Sequence, residues 1–167
     1  MSVRRIVPGD EAIVRSLRIA ALTDAPAAFN STLEHELAQD TEGWRRWITD
    51  GATFVFERPD GPHGIAAGFV HDREPNAIYL MSMWVRPESR GAGIADALAA
   101  SVIAWGGEQG ATVAVLHVGE HNDRARRFYE RLGFRATGDG FVSERTGIRE
   151  IEMRYAIDRA RAAPAGV

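Results

Sequence analysis

The pattern of apolar and polar positions is clearest in the stretch 78–109. Residues 78–85 form a continuous apolar run of strand length that is bounded by Pro87. After a glycine-containing turn at 86–93, apolar residues recur every three or four positions, which predicts a helix. The apolar face of this helix would consist of Ile94, Leu98, Val102 and Trp105. We therefore predict a strand, a tight turn and a helix in direct succession.

The same patterns predict alternating strands and helices along the rest of the chain. Strands are expected at 2–7, 53–58, 65–72, 78–85, 112–118, 134–137 and 148–156. One helix is expected to start at the N-cap candidate Asp10 and to end at Asp24. Another helical stretch is expected over 31–50, with a break near a second N-cap candidate, Thr41.

The resulting order of elements is β-α-α-β-β-β-α-β-α-β-β, with a polar loop at 138–147 between the last two strands. This alternation indicates an α/β protein. The chain contains no repeat or linker that would divide it. We predict one domain over residues 1–157 and a frayed tail at 158–167.

The turn at 86–93 has the features of an anion-binding site. The first N–H groups of a helix lack intrahelical partners, and the helix dipole adds positive potential there. Gly91 and Gly93 have no Cβ, so a phosphate can approach the main chain closely. The guanidinium of Arg90 can add a charge-assisted hydrogen bond. These features predict a pyrophosphate site.

Two common phosphate-binding motifs do not fit this turn. The dinucleotide motif G-x-G-x-x-G requires a third glycine where the chain has Asp96. The chain has 20 arginines and no lysine. It therefore has neither a P-loop lysine nor a Schiff-base lysine. What remains is the pattern R-x-x-G-x-A at 90–95, directly after the predicted strand.

A second motif follows the next predicted strand, 112–118. Residues 122–134 read N-x-x-A-x-x-F-Y-E-x-x-G-F, with Asn122 as N-cap and Gly133 as helix stop. The two motifs, in this order and separated by one strand, resemble the signatures of the GCN5-related N-acetyltransferases (GNAT). In that family the first signature is the acyl-CoA pyrophosphate loop. The specific resemblance covers 83–134, and the order of elements is similar over most of the chain.

The resemblance implies the single-domain acyl-CoA N-acyltransferase (GNAT) fold, an α/β fold with a mixed, splayed β-sheet flanked by helices on both faces. Acetyl-CoA would lie as co-substrate in the gap between two parallel strands that separate. Strand-like hydrogen bonds to its pantetheine arm would fall on Met83, Trp84 and Val85. Its other contacts would come from Arg90, Gly91, Ala92, Gly93, Ile94, Ala95, Asn122, Arg124 and Phe128.

The resemblance also implies an acetyl-CoA-dependent N-acetyltransferase with Tyr129 as general acid. A phenol with a pKa of about 10 stays protonated at neutral pH and can protonate a departing thiolate. The alternative is a core tyrosine whose hydroxyl meets a carbonyl. His117 lies where relatives that act on ribosomal proteins and peptide N-termini carry a glutamate base, and it titrates near neutrality. A water chain as the base, or a structural histidine, remains open.

The composition excludes several other classes of function. A net charge of −3 and a pI of about 6.0 do not favour nucleic-acid binding. No apolar run approaches the roughly 18 residues that span a membrane, and the N-terminus lacks a signal-peptide core, which indicates a cytoplasmic protein. Without cysteine there is no thiolate metal ligand and no acyl-cysteine intermediate. His117 lies in a predicted strand and His121 in the loop after it, so no helical face aligns the two rings and no metal site is predicted.

The acceptor is expected to be a primary amine of a small molecule or a peptide, attacked directly in a ternary complex. In the family, the segment between the first two helices often forms a wall of the acceptor site. Glu34 and Glu36 are therefore candidates to attract a cationic amine, unless they only form a solvated helix face. A catalytically silent CoA-binding sensor or partner module, and a transferase that uses another acyl-CoA, are the alternative functions. Homodimers are common in the family.

Overall fold

The computed structural model describes residues 1–158, in which helices cover a seven-stranded sheet. The strands are β1 (Ser2–Arg5), β2 (Gly51–Arg58), β3 (Gly61–Val70), β4 (Ala77–Val85), β5 (Val113–Gly119), β6 (Arg135–Val142) and β7 (Arg149–Ala156). The helices are α1 (Glu11–Asp24), α2 (Leu33–Leu37), α3 (Thr41–Thr49), α4 (Ile94–Glu108) and α5 (Asp123–Leu132). Short 3-10 turns lie at Pro26–Ala28 and Pro87–Ser89.

The sheet has the strand order β1-β2-β3-β4-β5-β7-β6. Its neighbouring strands are antiparallel except for β4 and β5, which are parallel. These two central strands pair at only three positions, Ala77 with Val113, Ile78 with Ala114 and Tyr79 with Val115. Beyond these positions the strands diverge. The gap therefore opens at their carboxyl ends, where β4 leads to the turn before α4 and β5 leads to α5.

A β-bulge in β4 accounts for this separation. Where β4 pairs with β3, two residues of β4, Ser82 and Met83, oppose the single residue Ala66. Ser82 has a φ of 58°, which makes it the only non-glycine residue with a positive φ among residues 1–158. Because a bulge bends its strand and increases the local twist, the end of β4 turns away from β5.

Separate hydrophobic clusters lie on the two faces of the sheet. On one face α4 and α5 pack against the strands through a cluster that includes Ile78, Leu98, Val102, Phe134 and Met153. On the other face α1 and α3 pack through a cluster that includes Val14, Leu17, Trp44, Val55 and Ile65. Neighbouring residues of one strand enter different clusters because successive side chains point to opposite faces. The predicted α/β fold with a mixed, splayed sheet and helices on both faces is confirmed.

The predicted order of elements is confirmed, whereas the predicted cap at Thr41 was wrong. The helical stretch at 31–50 does break, but Asp40 rather than Thr41 caps α3, by accepting a hydrogen bond of 2.8 Å from the main chain. Asp10 stands at the predicted N-cap position of α1, but its side chain makes no cap hydrogen bond. Its carboxylate instead accepts a hydrogen bond of 2.7 Å from Arg4. The carboxylate therefore bonds to Arg4 and not to the first main-chain N–H groups of α1.

The predicted polar loop at 138–147 was wrong in its first half. Strand β6 continues through Val142 and pairs with β7 beyond an irregularity between Ala136 and Gly140. All eight residues of β6 are exposed. The alternation of apolar and polar positions that marks a half-buried strand is therefore absent, and only the pairing with β7 makes this segment a strand.

The predicted frayed tail, 158–167, lies outside the described residues except for Asp158. Within residues 1–158, no helix combines the length and the apolar character that crossing a membrane requires. This part of the chain also holds no group of three or more His, Cys, Asp or Glu side chains placed to bind a metal ion.

Candidate active site

Two cavities meet at the gap between β4 and β5. The first, here called the helix cavity, has a volume of about 590 Å³ and lies between the turn before α4 and the start of α5. The second, the sheet cavity, has a volume of about 430 Å³ and lies beside α2, between β4, β5 and β7. The residues that line both cavities are Ala28, Phe29, Met83, Asn122, Ala125 and Tyr129. These shared residues form the boundary at which the two cavities meet.

Nearly all residues predicted to contact the co-substrate line the helix cavity. They come from the end of β4, the turn before α4, the start of α4 and the first half of α5, and they are Met83, Trp84, Val85, Arg90, Gly91, Gly93, Ile94, Ala95, Asn122, Arg124 and Phe128. Ala92 is not among the lining residues. The fold thus places the two sequence motifs on facing walls of one cavity.

The turn before α4 and the first turn of that helix line the helix cavity. Gly91 and Gly93 have φ values of 81° and 75°, which glycine adopts at little cost. The helical hydrogen bonding of α4 begins with the Ala97 N–H, which donates to the Gly93 carbonyl over 3.1 Å. The N–H groups before it belong to the first turn, where an anion is favoured by both the missing partners and the helix dipole.

A buried hydrogen bond fixes this turn to the start of β3. Ser89 Oγ lies 2.7 Å from His63 Nδ1, and both side chains are almost fully buried. The other ring nitrogen of His63 lies 3.1 Å from a carboxylate oxygen of Asp60. The backbone of the turn is therefore held in place before any ligand binds.

Arg90 is more constrained than the sequence suggested. Its Nε donates a hydrogen bond of 3.0 Å to the Val85 carbonyl, and its guanidinium forms an ion pair with Asp24. Asp24 also accepts a hydrogen bond of 2.9 Å from Trp84 Nε1. The hydrogen bond from Trp84 and then that from Arg90 hold the pKa of the Asp24 carboxyl below its usual value. Arg90 therefore ties the end of α1 to the turn, and contact with a phosphate would require a change in this pairing.

Asp96 does not place an uncompensated charge beside the predicted phosphate site. Arg131 of α5 donates two hydrogen bonds to its carboxylate, at 2.7 and 3.1 Å. These hydrogen bonds lower the pKa of Asp96, so it stays ionised. Both residues line the helix cavity, and their ion pair joins α4 to α5 across its rim.

Tyr129 lines both cavities and is 8% exposed. Its ring packs against Phe128 and Phe134, with centroid distances of 5.0 and 5.6 Å. Burial raises the pKa of its hydroxyl above the usual value, so the group is protonated at neutral pH. Within residues 1–158 the hydroxyl makes no hydrogen bond. The predicted alternative, a core tyrosine bonded to a carbonyl, is therefore not what the structure contains.

His117 lines the sheet cavity from β5. Its side chain is 26% exposed, and its Nε2 lies 3.8 Å from Glu152 Oε2 on β7, which is longer than a hydrogen bond. Burial lowers the pKa of the imidazole, and the nearby Glu152 opposes this effect. His117 is therefore neutral at pH 7 and able to accept a proton.

Glu36 does not have the role that the sequence suggested for it. It lines the sheet cavity but is 2% exposed. Its carboxylate accepts hydrogen bonds from Arg18 at 2.7 Å, Ser31 at 2.9 Å and Gln39 at 2.8 Å. A carboxylate with these partners is not available to an amine. Glu34 does not line the cavity.

Glu150 is a residue of the site that the sequence analysis missed. It is 4% exposed, lines the sheet cavity and pairs with Gly119 across β5 and β7. Desolvation raises the pKa of its carboxyl. The sequence signal was the alternation of Glu150 and Glu152 with Ile151 and Met153, which indicates one polar strand face. Only the pairing with β5 shows that this face borders a cavity.

Comparison with known proteins identifies the family. The sequence model of the Acetyltransferase (GNAT) family matches residues 18–134, which include both motifs. Mycothiol acetyltransferase of Streptomyces coelicolor is 31% identical over 136 residues, which are 80% of this chain and 42% of that protein. N-acetyltransferase 8F1 of Rattus norvegicus is 31% identical over 111 residues, which are 63% of this chain and 50% of that protein. The chain thus spans about half the length of the curated relatives it matches.

Solved structures share the fold. The structure of yncA from Salmonella typhimurium with its cofactor acetyl-CoA has a TM-score of 0.76 and 20% identity over 99% of both chains. Ribosomal-protein-alanine N-acetyltransferase from Brucella melitensis has a TM-score of 0.77 and 20% identity, covering 93% of this chain and 99% of that one. At such identities the similarity concerns the fold. Because the family model matches residues 18–134, and the splayed sheet and both motifs are in place, the chain belongs to the Acetyltransferase (GNAT) family.

Proposed function

We propose that the chain is an acetyl-CoA-dependent N-acetyltransferase that acetylates a primary amine of a small molecule or a peptide. The observation that carries this proposal is that the two cavities meet at Tyr129. A donor in the helix cavity and an acceptor in the sheet cavity would have their reacting groups beside a protonated phenol. Membership of the family supports an acyl-CoA donor, and the structural relative yncA has acetyl-CoA as its cofactor.

The helix cavity offers groups that suit each part of acetyl-CoA. The main-chain N–H groups around Gly91 and Gly93 suit the pyrophosphate. Because β4 is no longer paired with β5 at 83–85, its edge can form strand-like hydrogen bonds with the pantetheine arm. Arg124 adds positive charge at the rim. Asn122 caps α5 through its side-chain oxygen over 3.1 Å, and its NH₂ group is a further donor.

In the proposed reaction the amine attacks the thioester carbonyl directly, since the chain has no cysteine to carry the acyl group. The C–N bond forms and the C–S bond breaks. Neutral His117, on the acceptor side, takes the proton of the amine directly or through water. The hydroxyl of Tyr129 gives its proton to the departing thiolate and is protonated again from solvent.

The test is the release of free thiol from acetyl-CoA in the presence of a panel of primary amines. We expect release that depends on the amine and a loss of kcat of about 10²- to 10⁴-fold in Tyr129→Phe. The affinity for acetyl-CoA should change little, because the phenyl ring keeps the packing with Phe128 and Phe134. Tyr155→Phe is the matched control, since Tyr155 packs on Phe134 outside both cavities, and its kcat should equal that of the wild type.

Three other outcomes would contradict parts of this proposal. Equal losses of kcat and of acetyl-CoA affinity in Tyr129→Phe would indicate a structural tyrosine. Binding of acetyl-CoA without thiol release for any amine would favour a CoA-binding module that is not a catalyst. A protein that does not bind CoA would overturn the assignment of the helix cavity.

A further inference from the structure

Glu150 is a buried carboxylate of the sheet cavity that the fold leaves without a partner. In the described part of the chain no group donates a hydrogen bond to its carboxylate, and no arginine or histidine forms an ion pair with it. His121 is only near enough to exert a weak attraction that lowers the pKa. Burying an ionised carboxylate costs free energy that a paired cation can offset. A buried carboxylate without a hydrogen-bond donor therefore points to a ligand that supplies one.

The other carboxylates around the cavity are satisfied. Glu36 accepts three hydrogen bonds from neighbouring side chains, the shortest of them 2.7 Å from Arg18. Glu152, two residues from Glu150 on the same strand face, accepts a hydrogen bond of 2.8 Å from Arg154. Glu150 is almost fully buried, as Glu36 is, but in the described part of the chain no such donor meets its carboxylate.

The position opposite Glu150 helps to keep its carboxylate uncovered. The paired residue on β5 is Gly119, which has no side chain to lie over Glu150. A Cβ at Gly119 would lie 2.7 Å from the exposed ring of His121, which would have to move to admit it. The carboxylate is consequently directed to the cavity and not to a cross-strand neighbour.

The walls near Glu150 suit a cation with an apolar or aromatic body. Tyr79, His117 and Phe141 line the same cavity. The ring of His117 lies 5.1 Å from that of Phe141 and 6.0 Å from that of Tyr79, measured between centroids. Aromatic faces attract cations through their quadrupole, and they also bury apolar surface.

The cationic residues that line the cavity do not neutralise Glu150. Arg18 is paired with Glu36 and packs between the rings of Phe29 and Trp47. Arg145 lines the cavity from the exposed loop between β6 and β7 and forms no ion pair with Glu150. The negative charge of Glu150 is therefore available to a ligand that brings its own positive charge.

We propose that Glu150 binds the acceptor in its ammonium form, so that the sheet cavity selects amines that enter as cations on an apolar or aromatic body. This inference rests on the proposed function, since it specifies the acceptor of the same reaction. It makes Glu150 a residue that recognises the acceptor, while His117 takes the first ammonium proton before attack and the second, lost from nitrogen as the amide forms, goes to solvent.

Calorimetric titration with two probes tests the inference without requiring turnover. The probes are 2-phenylethylamine and 2-phenylethanol, which share a skeleton and differ in whether they carry an ammonium or a hydroxyl group. We expect the wild-type protein to bind the amine about 30-fold more tightly, or better. Glu150→Gln should lose this preference and still bind the alcohol as before. Glu144→Gln changes an exposed carboxylate outside the cavity and should keep the preference.

A second variant and a second assay make the outcome unambiguous. Glu150→Asp retains the charge on a shorter side chain and should retain part of the preference, even if Glu150→Gln folds poorly. Equal or undetectable binding of both probes to the wild type, or an intact preference in Glu150→Gln, would overturn the inference. Absence of thiol release with every amine, alongside a preference that depends on Glu150, would instead contradict the proposed catalysis and leave the cation site standing.

Discussion

His117 illustrates how a single side chain acquires its chemistry from what surrounds it. Burial lowers the pKa of the imidazole, Glu152 at 3.8 Å opposes this shift, and His71 and Arg154 reinforce it. The balance leaves the pKa below the usual value of 6.5. At neutral pH the ring is therefore unprotonated, which is the state that a general base requires.

A pH–rate profile follows from this balance. We expect kcat/KM for the amine to fall as the pH drops through the pKa of His117, because the protonated imidazole cannot accept a proton. Glu152→Gln removes the anion that raises this pKa, so the acidic limb should move to lower pH. His117→Gln should lower kcat by about 100-fold and abolish the limb. If the limb survives in His117→Gln, another titrating group causes it and His117 is not the general base.

At the scale of elements, the turn before α4 and the first turn of that helix act as one unit. The N–H groups are presented by a backbone that needs a positive φ at Gly93. We predict that Gly93→Glu weakens CoA binding by about 100-fold or more, because it places a carboxylate where the pyrophosphate would lie. Calorimetry with CoA measures this loss, and circular dichroism would show that the variant is folded.

Gly138→Glu is the matched control for this substitution. Gly138 has a φ of 89°, and an added Cβ would meet no atom within 4 Å, as at Gly93. The backbone strain and the added charge are therefore similar, but the position lies on exposed β6, away from the helix cavity. CoA affinity should be unchanged in this variant. A comparable loss in both variants would attribute the effect of Gly93→Glu to strain.

The caps of α5 were predicted correctly from the sequence, whereas the side-chain partner of Asp10 and the length of β6 were not. Asn122 and Gly133 cap α5 as expected, the first through its side chain and the second with a φ of 107°, because capping depends on residues close in sequence. Asp10 met the same sequence criterion but bonds Arg4 instead. Strand β6 was missed in part because an exposed edge strand carries no hydrophobic alternation.

At the scale of the whole molecule, the sheet consists of two halves joined by three paired positions between β4 and β5. A ligand in the gap would contact both halves, from the end of β4 to the start of α5. Ligands that bind only the folded state stabilise it by mass action. At a CoA concentration of about 100 times Kd, the free energy of unfolding should rise by about 2.7 kcal/mol.

For a domain of this size the rise corresponds to a Tm increase of roughly 5–10 °C. Differential scanning calorimetry at increasing CoA concentrations measures it. The same titration of Gly93→Glu should show almost no increase over this concentration range. A wild-type Tm that does not depend on CoA would contradict binding in the gap.

The sequence by itself determined the features that depend on neighbouring residues. The strand, glycine turn and helix at 78–109, the capped helix at 122–133 and the order of elements all follow from local periodicity, capping and backbone preference. These are short-range effects, so contiguous residues suffice to encode them. The two motifs also carry the resemblance to the GNAT family, which the family match confirms.

Only the tertiary structure decided which side chains share the site and which are already engaged. The register of β7 against β5 brings Glu150 to the sheet cavity, and packing of α1 on α2 buries Glu36 against Arg18. The bulge in β4 opens the gap through which Tyr129 reaches both cavities. These arrangements depend on contacts between residues distant in sequence. Local patterns cannot encode such contacts, because burial and pairing are properties of the assembled fold.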